Sequence, residues 1–185
     1  GFVYSGPVAC HSFYSISSST SKLAIITGPN HYGIGQSIAS MVDASWKTPL
    51  GLMEVDSESA LELRDGLDIL SLDSFSHSKE HSIEVQIPML QETFSHEIKI
   101  LPVSLIDQKE KTATKVGHAI AKIAQKKDAL LIGSSDFTHY EENEFAHRQD
   151  LALIDPILSL DVSEFYKILH ERHVTACGFG AIAST

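Results

Sequence analysis

Short apolar runs alternate with longer amphipathic stretches along the chain. Leu23-Ala24-Ile25-Ile26-Thr27 stops at Gly28-Pro29, and Ala129–Gly133 runs into Ser134-Ser135. Apolar runs of this length, closed by turn residues, predict buried strands, and Ile98–Val103 reads the same way. Between them lie helical patterns. Ser57–Asp65 follows an N-cap at Asp56 or Ser57, since a side-chain oxygen there accepts from the first-turn N–H groups. Lys109–Gln125 carries Val116, Ile120 and Ile123 on one face. Ser82–Phe94 carries Ile83, Ile87 and Leu90 on one face, with Pro88 inside it predicting a kink or a break. Pro7 is placed in the first turn of a helix running to about Tyr14. Phe145–Leu160, interrupted by Pro156, and Ser163–His170 complete the helices. Ser37–Ala44 and Leu52–Val55 flank Lys47-Thr48-Pro49-Leu50-Gly51, which predicts a hairpin, and Ser15–Ser21 reads as a loop.

Strands alternating with helices predict one α/β domain over residues 1–185, with a largely parallel mixed sheet and helices on both faces. Such sheets bind ligands beyond the carboxyl ends of their strands. Two strands run directly into polar segments that end in histidine: Gly28-Pro29-Asn30-His31, and Ser134-Ser135-Asp136-Phe137-Thr138-His139. If both strands are parallel, His31, Asp136 and His139 share one sheet edge. Position alone weighs a shared site and two unrelated surface loops equally, because the chain has 10 histidines.

Two further segments carry candidate chemistry. In Glu80-His81-Ser82-Ile83-Glu84, His81 and Glu84 stand at i and i+3 and can share a helix face. That pair can hold a metal or exchange a proton; acidic residues favouring a helix dipole are the plainer reading. Cys177 lies in Thr175-Ala176-Cys177-Gly178, before an apolar segment. A thiol at a helix start has a lowered pKa and makes a better ligand or nucleophile; a small buried hydrophobe is the commoner fate of a free cysteine.

Charge and composition narrow the partners. The net charge is −10, from 14 basic and 24 acidic residues. A surface of that sign repels phosphate backbones and disfavours nucleic acid. No apolar run approaches the length of a membrane span. Two cysteines, Cys10 and Cys177, without a Cys-x-x-Cys pair predict no disulfide and a reducing, cytoplasmic setting. Gly33-Ile34-Gly35 lacks the rest of a dinucleotide fingerprint, and no Gly-x-Ser-x-Gly elbow occurs. The chain begins at Gly1 and stops inside the apolar run at Ala183-Ser184-Thr185, so a piece of a longer protein, truncated at both ends, is expected.

Five segments, in order and spacing, carry a resemblance: Gly1-Phe2-Val3-Tyr4-Ser5-Gly6-Pro7, Gly28-Pro29-Asn30-His31, Glu80-His81-Ser82-Ile83-Glu84-Val85-Gln86, Ser134-Ser135-Asp136-Phe137-Thr138-His139-Tyr140 and Thr175-Ala176-Cys177-Gly178. Together they resemble the Memo family, including archaeal and bacterial members called AmmeMemoRadiSam system protein B. The resemblance implies a fold like that of class III extradiol dioxygenases. It also implies a metal site of two histidines and a cysteine. His31 matches the second histidine, Cys177 the cysteine, and His139 a histidine beside the site; Asp136, His81 and Glu84 line the same cleft. The family's first histidine falls in a Pro-His-Ala-Gly segment, whose glycine Gly1 resembles. His31, His139 and Cys177 are therefore expected to cluster.

Three functions follow from this resemblance. The first is a metal-dependent oxidoreductase using iron or copper, with zinc a further candidate. Its metal ligands are His31, Cys177 and His139, and its catalytic residues His139, Asp136, His81 and Glu84. Cys177 stands where a dioxygenase has a carboxylate, so dioxygenase activity does not carry over. The second is a binding module for a peptide or small molecule. The third is a copper carrier.

Overall fold

The computed structural model describes residues 1–185. Its centre is a five-stranded mixed sheet in the order β5-β2-β6-β1-β7. The strands are β1 (Leu23–Pro29), β2 (Ile38–Ser40), β5 (Ser71–Leu72), β6 (Lys99–Leu105) and β7 (Leu130–Gly133). β1 runs parallel to both β6 and β7, and β2 runs antiparallel to β6. The α/β reading and its mixed, mostly parallel sheet therefore hold.

Strand pleating sends alternate residues to opposite faces, and two cores result. Leu23, Ile25, Leu101, Val103 and Leu105 pack with Val116, Ile120 and Ile123 of α4 (Glu110–Lys127) and Ala60 and Leu63 of α2 (Ser57–Gly66). Ala24, Ile26 and Ile100 pack on the other side with Ile87 and Leu90 of α3 (Ile87–Thr93), and with Phe13 of α1 (Phe2–Ser15). All seven residues of β1 are buried because it has a strand on each side and a core on each face. A third core joins Phe165 and Leu169 of α6 (Val162–Glu171), Leu153 of α5 (Asn143–Leu158) and Ala113 of α4. The last helix, α7 (Phe179–Ser184), lies on β1: the Thr27 hydroxyl meets the Ala181 carbonyl at 3.1 Å and Thr185 Oγ1 at 3.0 Å.

Several boundaries differ from the sequence expectations, each for a local reason. The hairpin is β3 (Ser45–Thr48) against β4 (Gly51–Glu54), while Ile38–Ser40 joins the main sheet instead. Alternating half-buried and exposed residues in β3 suit a two-stranded flap; the fully buried Ile38-Ala39-Ser40 suits a sheet interior. Pro88 does not kink a helix. A 3₁₀ turn over Glu84–Gln86 precedes α3, and Pro88 lies in its first turn, where a missing N–H costs nothing. Pro7 and Pro156 lie inside α1 and α5, which run on past them. Asp56 caps α2 as expected, accepting from Ser59 N at 2.9 Å.

Candidate functional site

Three parallel strands end at one edge of the sheet: β6 before Gln108, β1 before His31, and β7 before the Ser134–His139 segment. The two histidine-bearing loops thus follow adjacent parallel strands, as the shared-edge expectation requires.

The loop after β1 is built around a buried carboxylate. Glu80 Oε1 accepts from His31 Nδ1 at 2.9 Å, His81 N at 2.8 Å and Ser82 N at 2.8 Å, and Oε2 accepts from His31 N at 2.5 Å. Burial pushes the Glu80 carboxyl up, but the hydrogen bonds from His31 and the backbone outweigh it and hold the group below its ordinary range. Next to it the His31 and His81 rings stack at 4.8 Å between centroids, 15° from parallel, with Tyr32 edge-on to His81. The loops meet closely. Ser82 Oγ donates to the Pro29 carbonyl at 2.7 Å, and a Cβ on Gly28 would lie 2.6 Å from that hydroxyl. Only glycine fits there.

Asn30 secures the start of the same loop, donating to the Ile34 carbonyl at 2.9 Å and the Ser76 carbonyl at 3.2 Å. Beyond Ser76 stands His77, buried edge-on to Trp46, its Nε2 without a partner. Burial pushes its pKa down to about 4 despite Asp73 and Glu80 nearby.

The second half of the site gathers around Cys177. Cys177 N donates to the Asp136 carbonyl at 3.1 Å, and Asp136 N donates to Cys177 Sγ at 3.2 Å. The Gln108 amide spans the approach, giving Nε2–H to the Cys177 carbonyl at 2.9 Å and taking Gly180 N at 2.8 Å. A Cβ on Gly178 would fall 2.4 Å from the Ser134 carbonyl, so glycine is required where this segment crosses the β7 loop. Cys177 precedes the N-cap Gly178 of the six-residue α7. Burial pushes its thiol up, and the Asp136 N–H and Ser135 only partly offset this, so the lowered value expected at a helix start is not found.

The remaining residues sit farther out. His139 Nδ1 bonds the Phe137 carbonyl at 2.8 Å; that oxygen only accepts, so Nδ1 carries the proton and Nε2 is bare. Asp136 and Glu84 are exposed, and Glu84 opens the 3₁₀ turn instead of facing His81 along a helix. Ser134 links the halves: its hydroxyl donates to the Ser82 carbonyl at 2.7 Å and accepts from Gln86 Nε2 at 2.9 Å. The trio of donor atoms that converges is His31, Glu80 and His81, all within 4.8 Å of one another. Cys177 and His139 stand outside that trio: the first is held by Asp136, and the second folds back on its own loop. A His/Glu/His group of this kind can hold a metal ion; iron, copper and zinc all accept imidazole.

Sequence reasoning missed Glu80 and Gln108. Glu80 sits inside the quoted Glu80–Glu84 stretch, and a carboxylate directly preceding histidine was its only signal. Gln108 carried none, because its role depends on the Cys177–Gly180 segment, about 70 residues on, packing against it.

Comparison with known proteins identifies the family and the fold. The family model described as "Memo-like protein" matches residues 1–185. The chain belongs to the Memo family. A MEMO1 family protein of Nitrosopumilus maritimus is 56% identical over 184 residues, covering 100% of this chain and 67% of the relative. One from Sulfurisphaera tokodaii is 41% identical, covering 97% of this chain and 65% of the relative. This Memo chain therefore spans about two thirds of the length of the curated relatives it matches. The crystal structure of the uncharacterized protein JW3007 from Escherichia coli K12 shares the fold, with TM-score 0.51 at 15% identity over 95% of this chain and 80% of that one. No helix is long and apolar enough to cross a membrane.

Proposed function

We propose that this Memo domain holds a single redox-active metal, iron or copper, at the shared sheet edge and serves oxidoreductase-type chemistry on a small molecule. The observation that carries the reading is the pairing of a fixed imidazole and a fixed sulfur on neighbouring strand ends. His31 follows β1, and Cys177 is bonded to Asp136 after β7. The donor set fits such a metal. Imidazole suits iron, copper and zinc, and thiolate selects the softer of these. Cys177 Sγ already accepts an N–H, as a coordinated thiolate does. When bound, the metal would supply one-electron chemistry or activate a small ligand.

The chain's own groups would do the rest. His31 and Cys177 hold the ion, and His139 adds a third donor or takes a proton at its bare Nε2. Asp136 fixes the sulfur through its backbone N–H and offers its exposed carboxylate to substrate. His81, half exposed beside His31, exchanges protons with substrate, and Glu84 contacts substrate at the rim. In full-length protein purified without chelator, elemental analysis should find stoichiometric iron or copper, and both His31→Ala and Cys177→Ser should remove it. Metal-free protein at ligand excess would overturn the reading in favour of a peptide- or small-molecule-binding module. Rapid copper(I) transfer to an acceptor, without turnover, would favour a carrier.

A further inference from the structure

The compact trio of His31, Glu80 and His81 looks like a three-ligand metal site, and its hydrogen bonds argue otherwise. We propose that Glu80 is a positioning residue that locks His31 in the tautomer with a bare Nε2, so that His31 alone of the trio is a metal ligand. This rests on the metal-binding reading above.

The carboxylate is turned to its own loop. An ionised carboxylate offers about four acceptor sites, two on each oxygen. Oε1 takes His31 Nδ1 and the His81 and Ser82 N–H groups, and Oε2 takes the His31 N–H. Oε1 is therefore saturated, and a metal there would have to evict N–H donors and leave them without a partner. Because His31 spends Nδ1 on Oε1, an ion held through its Nε2 lies on the far side of the imidazole from Glu80.

The same bonds decide the imidazole. Both oxygens of this carboxylate already accept backbone N–H groups, so it faces its loop as an acceptor and the hydrogen between it and His31 lies on Nδ1. Nε2 is then the unprotonated nitrogen, with its lone pair in the ring plane pointing away from Glu80. A histidine that gives its second N–H to a carboxylate is the arrangement that orients a ligand and raises its basicity.

His81 is excluded by its stacking. Its ring lies 15° from the plane of His31 at 4.8 Å between centroids. In-plane lone pairs of near-parallel rings run side by side and do not converge on an ion about 2.0–2.1 Å from one of them. Its Nδ1 is 3.6 Å from Glu80 Oε1, beyond a hydrogen bond, so no carboxylate fixes its tautomer.

Nitrogen-15 NMR of the metal-free protein at pH 8 tests the lock without any metal. His31 should show a protonated Nδ1 and an unprotonated Nε2, while His81 averages between tautomers. The opposite His31 tautomer would overturn the proposal, whether or not the protein binds metal. In full-length protein titrated with zinc and copper(I), Glu80→Gln should weaken binding about 10- to 100-fold and return His31 to averaged tautomers. His31→Ala should abolish binding, and His81→Asn should leave it unchanged. Loss of binding in His81→Asn equal to that in His31→Ala, or full affinity in a folded Glu80→Gln, would refute the assignment. Ser82→Ala controls for loop damage: it removes the Pro29 anchor and should lower the melting temperature without moving the His31 signals.

Discussion

The two halves of the site follow neighbouring parallel strands, yet they are held very differently. The β1 half grows from a strand buried along its whole length, and its loop closes on the fully buried Glu80. The β7 half grows from an edge strand paired only with β1, where Leu131 is 37% exposed. Beyond Ser134 its loop is pinned by scattered contacts: the reciprocal pair between Cys177 and Asp136, Thr138 N to Asp150 at 2.9 Å, and His139 N to Thr175 at 3.3 Å. Tyr140, next to His139, is 99% exposed with φ of 64°, a conformation bulky residues seldom adopt. A central strand brings neighbours to its loop from both sides, so polar groups there can be buried and fully partnered. An edge strand supplies one neighbour, and order must come from elsewhere in the chain, here α7 and Gln108.

The comparison breaks first in the core. Ile25→Ala should cost about 2–5 kcal/mol, the range for emptying a well-packed site, because Ile25 of β1 is fully buried. Urea denaturation measures this. A loss under 1 kcal/mol would mean that β1 is no more constrained than β7.

The next effect depends on pH. His77 titrates near 4 in the folded protein, against about 6.5 unfolded. The unfolded chain therefore binds the proton first. Stability is fully present above about pH 6.5 and is lost as pH drops from there to the folded value near 4, by about 3 kcal/mol at most, at 1.36 kcal/mol per unit. His77→Leu should flatten that decline in denaturation midpoints between pH 7 and 4; an unchanged slope would remove His77 as the cause. Glu80 works at lower pH. Its folded pKa is depressed, so its contribution is intact above the ordinary carboxylate value and disappears as pH falls below it. Glu80→Gln should be less sensitive than wild type below about pH 4.3.

In the β7 half, Gly178→Ala should cost about 1–3 kcal/mol, as overpacking does, because the new Cβ meets the Ser134 carbonyl. It should also loosen Cys177 from Asp136 and speed its alkylation by iodoacetamide. Unchanged alkylation would mean that the crossing does not hold the thiol. Leu131→Ala marks the small end: the edge position predicts a change within about 0.5 kcal/mol, read by the same denaturation. A cost like that of Ile25→Ala would erase the contrast between the strands.

Period and punctuation were legible in the chain. β1, α2 and α4 lie within a residue or two of their apolar patterns, because each pattern reports one buried face or a strand buried on both faces. His31, Asp136 and His139 were legible as polar segments closing apolar runs, and Cys177 as a thiol in a glycine turn before an apolar segment. What local pattern could not carry was direction and partnership. Whether Ile38–Ser40 belonged to a hairpin or to the main sheet depended on which strand lay beside it, and β6 settled that with an antiparallel ladder.

The same holds for the site. The sequence determined which residues end on the sheet's carboxyl edge, since a parallel sheet delivers every loop after its strands to one side. Only the tertiary structure decided that Glu80, not Glu84, is the acid beside the histidines. A run of seven residues can place His81 and Glu84 one helical turn apart. It cannot reveal that a 3₁₀ turn replaces that helix turn, or that His31, 49 residues back, supplies the donors that keep Glu80 ionised and buried.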